Sequence, residues 1–269
     1  MSLGPNRDWD AGTYHQVAQP HAAWGANVLD RLELNGDETI LDAGCGSGRV
    51  TAGLLERLPR GHVIAADLSA TMLAEARQTL APFGDRVTFL EVDLQHIDNA
   101  IEQPVDGIFS TATFHWIADH AALFRVLHAI LVPGGQLVAQ CGGGANLARL
   151  MSTADDVAER KPFCDVLRGQ KLWRHQYAAD ETRERLQHAG FRDIRVWLEE
   201  SPQHFEDASA LAAFARTVVL SRHVAALPEA QRDAFVDAVV DAVKQREGSY
   251  SLDYVRLNMD ARRSFNHGT

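Results

Sequence analysis

The sequence predicts a doubly wound α/β fold: a mostly parallel, seven-stranded sheet covered by helices on both faces, with a helical cap. Three observations predict it. Short apolar runs alternate with helix-period segments through the middle of the chain. The connections between them are short, as crossovers in a parallel sheet are. The runs are near-continuously apolar, as strands buried on both faces must be.

The elements follow in order. Residues 20–34 read as a helix lying against the sheet. Residues 39–42 form a first apolar strand, and 49–58 a helix with Val50, Leu54 and Leu58 on one face. HVIAAD (62–67) is a second strand; Ser69 then stands as N-cap to a helix over 70–80, rich in good helix formers. RVTFLEV (86–92) and VDGIFST (105–111) are the third and fourth strands. Residues 120–131 form an amphipathic helix stopped by Val132-Pro133-Gly134-Gly135, after which QLVAQC (136–141) is the fifth strand. Residues 182–189 read as a helix with Gly190 as its C-cap. DIRVWLE (193–199) alternates as a sixth strand, and 251–262 as a last, antiparallel one. Two segments break the pattern: 145–177, and 206–247 with Leu211, Phe214, Ala215, Val218 and Val219 at helical spacing.

This divides the chain into three parts: an N-terminal segment and helix (1–35), an α/β core (36–144, 178–200 and 250–265), and a cap (145–177 and 201–249) above the sheet's carboxyl edge. The cap is the expected substrate side.

Composition narrows the function. A formal charge of −10 on 269 residues disfavours nucleic acid and anionic membranes, both of which select a basic face. It leaves a small anionic substrate open, because a pocket's field can oppose the net charge. No apolar run is long enough to span a bilayer. MSLGPNRDWD lacks the apolar centre of a secretory signal, and Met1–Leu3 reads as a leader outside the fold. Cys45, Cys141 and Cys164 are odd in number and have no metal-ligand spacing, which fits a reducing, cytoplasmic setting and no bound metal. Oligomeric state is open.

The most specific stretch is ILDAGCGSGRV (40–50), with three glycines at alternate positions where the first strand meets its helix. Such a turn admits a nucleotide-like ligand to the backbone and to the positive end of the helix. The dinucleotide fingerprint is G-x-G-x-x-G, whereas this chain has D-x-G-x-G-x-G. That pattern resembles motif I of the class I S-adenosylmethionine-dependent methyltransferases. Asp67 at the end of the second strand, Val92-Asp93-Leu94 after the third and LVPGG (131–135) before the fifth are similar to the same family's landmarks, in the same order.

The resemblance implies S-adenosyl-L-methionine as cofactor and S-adenosyl-L-homocysteine as product. Asp42, Gly44, Gly46 and Gly48 would shape the turn under the methionine end. Asp67, beside Leu68, would accept the ribose hydroxyls. Asp93 would bond the adenine amino group while Leu94 packs on the ring, and Thr111, at the end of the fourth strand, would join the cofactor-binding residues.

TFHWIADHAAL (113–123) narrows the likeness to the trans-aconitate methyltransferases; juvenile hormone acid methyltransferases carry a related His-Trp segment. Trp9 to Tyr14 (WDAGTY) is similar to the former family's W-x-x-x-x-Y opening, and YVRLNMDARR (254–263) to its last strand. The likeness implies that Tyr14 closes over the methionine end. It also implies that Trp116, with Gln16 or Gln19, holds an acceptor carboxylate in the methyl-transfer chamber. His115 stands either as a base or as a packed, hydrogen-bonded imidazole.

A carboxylate is ionised at neutral pH and needs no base, whereas a hydroxyl or amine acceptor would call on His115 or His15. Arg216, Arg222, Arg256 and Trp173-Arg174-His175 are candidate partners for an acceptor carboxylate. Two other readings remain at this point, a nicotinamide-dependent oxidoreductase and a cofactor-binding module without turnover.

Overall fold

The structure is a computed structural model that describes residues 19–173 and 175–265. Tyr14, His15, Gln16 and Arg174 lie outside the described residues, as does the side chain of Gln19.

Seven strands form one sheet: β1 (Thr39–Ala43), β2 (His62–Asp67), β3 (Val87–Glu91), β4 (Val105–Thr111), β5 (Leu131–Gly142), β6 (Phe191–Glu200) and β9 (Val255–Arg263). Their order is β3-β2-β1-β4-β5-β9-β6. The five strands from β3 to β5 are parallel, and β9 runs antiparallel between β5 and β6. The chain moves outward from β1 to β3, then returns to lay β4 on the other side of β1. The strand order reverses there, so the crevice at the carboxyl ends of β1 and β4 is where such a sheet receives ligands.

The pleat of β1 shows how the two faces are filled. Ile40 packs with Val28 and Leu29 of α1 (Gln19–Leu29), Leu54 and Leu55 of α2 (Arg49–Arg57) and Leu73 of α3 (Ala70–Thr79). Leu41 and Ala43 face the other way, among Phe124 and Leu127 of α4 (His120–Ile130) and later Leu186 of α7 (Ala179–His188). Alternate side chains of a strand point to opposite faces, and here both faces are dry.

Between β5 and β6 lie α5 (Ala148–Ala158) and the short α6 (Cys164–Leu167), followed by α7. After β6 come β7 (Gln203–His204), α8 (Ala208–Phe214), a π-helical turn (Ala215–Val219), α9 (Ser221–Ala226), α10 (Glu229–Glu247) and β8 (Ser251–Leu252). These helices share a separate apolar cluster that includes Leu150, Phe163, Phe214, Phe235 and Val239. Leu211, Phe214, Ala215, Val218 and Val219 are all buried in it. Trp24 of α1 and Tyr254 at the start of β9 join the same cluster, their ring centroids 5.0 Å apart.

Several boundaries differ from the sequence expectation. The first helix ends at Leu29, not at 34. On α2 the buried face is Thr51, Leu54 and Leu55, with Leu58 just beyond the last turn and Val50 half-buried. The fifth strand starts at Leu131, where α4 ends, so Pro133 and Gly134 lie inside it rather than in a loop. Proline is tolerated there because the ladder with β4 is interrupted between Val105 and Gly107. On α7 the cap is Ala189, and Gly190 follows at φ 102°. The sixth strand begins at Phe191 and bends at Asp193, φ 52°, where its register with β9 shifts. The single last strand over 251–262 is two strands: β8 pairs with β7 away from the main sheet, and β9 enters the sheet.

Candidate functional site

The alternate glycines of 44–48 all have positive φ: 89° at Gly44, 54° at Gly46 and 80° at Gly48. They differ in what a side chain would meet. A Cβ on Gly44 would stand 2.1 Å from Thr113 Oγ1, and one on Gly48 3.1 Å from the Leu80 side chain. Among the described residues, a Cβ on Gly46 would meet nothing within 4 Å. Two glycines are therefore explained by protein packed against the turn, while the middle one borders space that no described residue fills.

The turn is fastened from β2. Gly44 N and Cys45 N both donate to Ala66 O, at 2.8 and 3.0 Å. Gly46 N donates to Asp67 Oδ2 at 2.9 Å, and Ser69 N to Asp67 Oδ1 at 2.9 Å. Asp67 thus holds the turn and the start of α3 together through both of its oxygens. Burial raises its pKa, opposed by these backbone donors. Ser69 caps α3 as expected, accepting from Met72 N.

Asp42 lies under the turn rather than at its surface. It is 2 % exposed, beneath the turn, and accepts from Thr51 Oγ1 of α2 at 2.7 Å. Burial pushes its pKa up to about 7; the Thr51 hydroxyl opposes the shift and the charge of Asp67 adds to it. Asp42 supports the turn from inside. Asp93 caps the 3-10 turn Leu94–Asn99 by accepting from Gln95 N at 3.0 Å, and Leu94 behind it is 6 % exposed. Leu68 is half-buried beside Asp67.

The other wall follows β4. Thr111 ends that strand, and its carbonyl accepts from Thr113 Oγ1 at 3.0 Å. The same hydroxyl lies 3.3 Å from Gly44 O, so Thr113 ties the two sides of the crevice together. No role falls to Thr113 from the sequence alone, although it heads the stretch TFHWIADHAAL. His115 and Trp116 follow in a 3-10 turn, Phe114–Trp116.

His115 is buried, and its Nδ1 accepts from Gly142 N at 3.2 Å. That bond commits Nδ1 as the acceptor and leaves the neutral ring's proton on Nε2, so neither nitrogen is a free base. Trp116 packs on His115, centroids 5.3 Å apart, and the Arg222 guanidinium carbon lies 4.8 Å over the Trp116 ring.

The candidate cations separate clearly. Arg216 is paired with Asp233 on the surface. Arg256 is 2 % exposed, 4.3 Å over the Trp24 ring, and donates to Gln140 Oε1 at 3.3 Å. Trp173 donates to Asp155 and rests against His223. Arg222 comes to Trp116, and His175 N reaches the His115 carbonyl at 3.1 Å.

Comparison with known proteins places the sequence and the fold. Residues 40–135 match the family model of a methyltransferase domain. The trans-aconitate 2-methyltransferase of Azoarcus sp. (strain BH72) is 32% identical over 261 residues, 94% of this chain and 98% of that one. That of Acidovorax sp. (strain JS42) is 28% identical over 272 residues, 96% and 99%. Among solved structures, phosphoethanolamine N-methyltransferase 2 of Haemonchus contortus, in complex with phosphomonomethylethanolamine and S-adenosylhomocysteine, superposes with a TM-score of 0.60 at 19% identity. That superposition covers 95% of this chain and 57% of the other, and establishes a shared fold.

Proposed function

The chain belongs to the trans-aconitate 2-methyltransferase family of S-adenosylmethionine-dependent methyltransferases, and from that premise we propose that it methylates a carboxylate of a small organic acid. The observation that carries the reading is the space over Gly46, open among the described residues, in a turn whose other glycines are closed off by protein. The residues fit an adenosyl ligand: a backbone path free of side chains, an acid at its lip and a helix N-terminus behind it.

When bound, S-adenosylmethionine supplies a methyl group on a sulfonium, which the acceptor's oxygen lone pair takes as the carbon–sulfur bond breaks and a neutral thioether is left. The chain's own work is placement and exclusion of water. Asp67, held by the Gly46 and Ser69 backbone, stands at the lip of the turn for the ribose hydroxyls. Asp93 and Leu94 stand at the next strand end for the adenine, Thr111 and Trp116 wall the reacting end, and Tyr14 and Gln16 are assigned by resemblance alone. Asp42 and Gly48 act through the turn. The cap, 145–177 and 201–249, is the acceptor side.

A carboxylate acceptor leaves no proton to remove. This agrees with a site in which the imidazole beside Trp116, His115, has its Nδ1 already engaged. A hydroxyl or amine acceptor would need a base there. The charge of −10 supports a small-molecule partner over nucleic acid. No described helix is long and apolar enough to cross a membrane, and Cys45, Cys141 and Cys164 are free thiols, which together support a cytoplasmic setting.

The test is an acceptor screen that reads S-adenosylhomocysteine formation. It should cover trans-aconitate and other mono-, di- and tricarboxylates, with amine and phenol controls. Turnover confined to carboxylates is expected. Turnover confined to amines or phenols would overturn the acceptor assignment while leaving the cofactor site intact.

A further inference from the structure

Arg222 is half-buried at the start of α9, and among the described residues no carboxylate pairs with it. Its one described partner is the Trp116 ring, 4.8 Å from the guanidinium carbon. Arg31 shows the contrast: it is also partly buried, but Asp260 pairs with it at 3.0 Å. An uncompensated cation in partial burial is costly, and here burial alone drives its pKa down. The imidazole of His175 is depressed by its own burial and then by the charge of Arg222. In a chain of net charge −10, this corner of the cap repels cations and is short of one anion.

Its distance from the turn is small in bonded steps. Trp116 follows Thr113 by three residues, and Thr113 Oγ1 lies 3.3 Å from Gly44 O. A planar guanidinium matches a carboxylate with two parallel hydrogen bonds, which an ammonium cannot do. Such a grip ties up both oxygens and draws charge from them, so it suits a carboxylate that is held and does not react.

We propose that Arg222 anchors a second, non-reacting carboxylate of the acceptor beside Trp116, which makes the enzyme selective for di- and tricarboxylates over monocarboxylates. This deepens the carboxylate reading above and rests on it. Arg222 takes no part in the bond changes: the new oxygen–methyl bond forms on the other carboxylate, and the guanidinium keeps its charge throughout.

The test compares wild type, R222Q and R222K, using trans-aconitate and an unsaturated monocarboxylate of similar length. Expected for R222Q is a KM for trans-aconitate raised on the order of 10- to 100-fold, with kcat changed far less. The monocarboxylate should be handled alike by wild type and R222Q, and R222K should fall between on the tricarboxylate. S-adenosylhomocysteine affinity by calorimetry and the melting temperature should stay near wild type, which a merely structural role would move. An unchanged KM for trans-aconitate in R222Q, or an equal loss on mono- and tricarboxylate, would overturn the assignment with the carboxylate reading standing. A wild type that turns over no carboxylate would overturn both.

Discussion

Thr113 occupies the space that a side chain on Gly44 would need, with Oγ1 2.1 Å from the position of a Cβ there. The same hydroxyl bonds the Thr111 carbonyl at 3.0 Å and stands 3.3 Å from Gly44 O, so it cannot swing away without loss. Gly44→Ala therefore meets two costs: a positive φ of 89°, and a clash that parts β1 from β4. The expected destabilisation is about 3 kcal/mol, a melting temperature lower on the order of 10 °C. Thermal unfolding by circular dichroism measures it. Adding Thr113→Ala should recover part of the loss but not the share due to φ.

Gly46→Ala should behave differently. No described atom lies within 4 Å of its Cβ position, and the left-handed φ of 54° opposes the methyl group, at about 1–2 kcal/mol. The variant should fold, yet S-adenosylmethionine affinity should fall at least about tenfold, since a Cβ enters the ligand's space. Calorimetric titration of the two alanine variants separates the roles. Equal affinity in wild type and Gly46→Ala would mean that the space over Gly46 is not the cofactor site.

His115 offers a test of the mechanism. With Nδ1 accepting from Gly142 N, the ring has no basic nitrogen to give, and a carboxylate acceptor asks for none. The kcat profile of the wild type should be flat from about pH 6 to 9. His115→Asn, which can keep an acceptor oxygen toward Gly142 N, should retain that flat shape with a lower plateau. A rising limb in the wild type that vanishes in the variant would make His115 a general base.

The central strands were legible because each is a short apolar run between turn residues, and β2 and β4 coincide with the runs read from sequence, His62–Asp67 and Val105–Thr111. The later strands were less so. Leu131 to Gly135 carries Pro and two glycines and reads as a stop signal, but an interruption in the β4 ladder lets β5 run through it. The split of the last segment at Asp253 and Tyr254 follows from Tyr254 being buried in the cap cluster, which no local pattern reports. Within the site, the glycine turn and Asp67 were visible as spacing. The inward role of Asp42 was not, because its partner Thr51 belongs to the following helix. Nor could sequence rank Arg216 against Arg222: what separates them is Asp233, brought to Arg216 by the cap's helix packing.

Two buried groups titrate against each other, and their opposition sets the last prediction. Asp42 is pushed from 3.8 up to about 7, by burial first and then by the charge of Asp67. His120 is pushed from 6.5 down to about 4, by burial first and then by the cations Arg185 and His175, while its bond to the Phe114 carbonyl works the other way. Between those limits the native state keeps a proton on Asp42 that the unfolded chain has released, so this group makes stability fall as pH rises. Over nearly the same window the unfolded chain keeps a proton on His120 that the native state has released, so that group makes stability rise with pH. Each slope is at most about 1.4 kcal/mol per pH unit, and in wild type the two nearly cancel. Asp42→Asn, which can still accept from Thr51, should expose the His120 term and gain up to about 3 kcal/mol relative to wild type on going from pH 4 to 6.5. His120→Gln, which can still reach the Phe114 carbonyl, should show the opposite slope. Urea unfolding at half-unit pH steps measures the difference curves, in which every other titrating group drops out. Parallel curves for wild type and Asp42→Asn would show that Asp42 is ionised in the native state, and that the floor of the glycine turn is more polar than its burial implies.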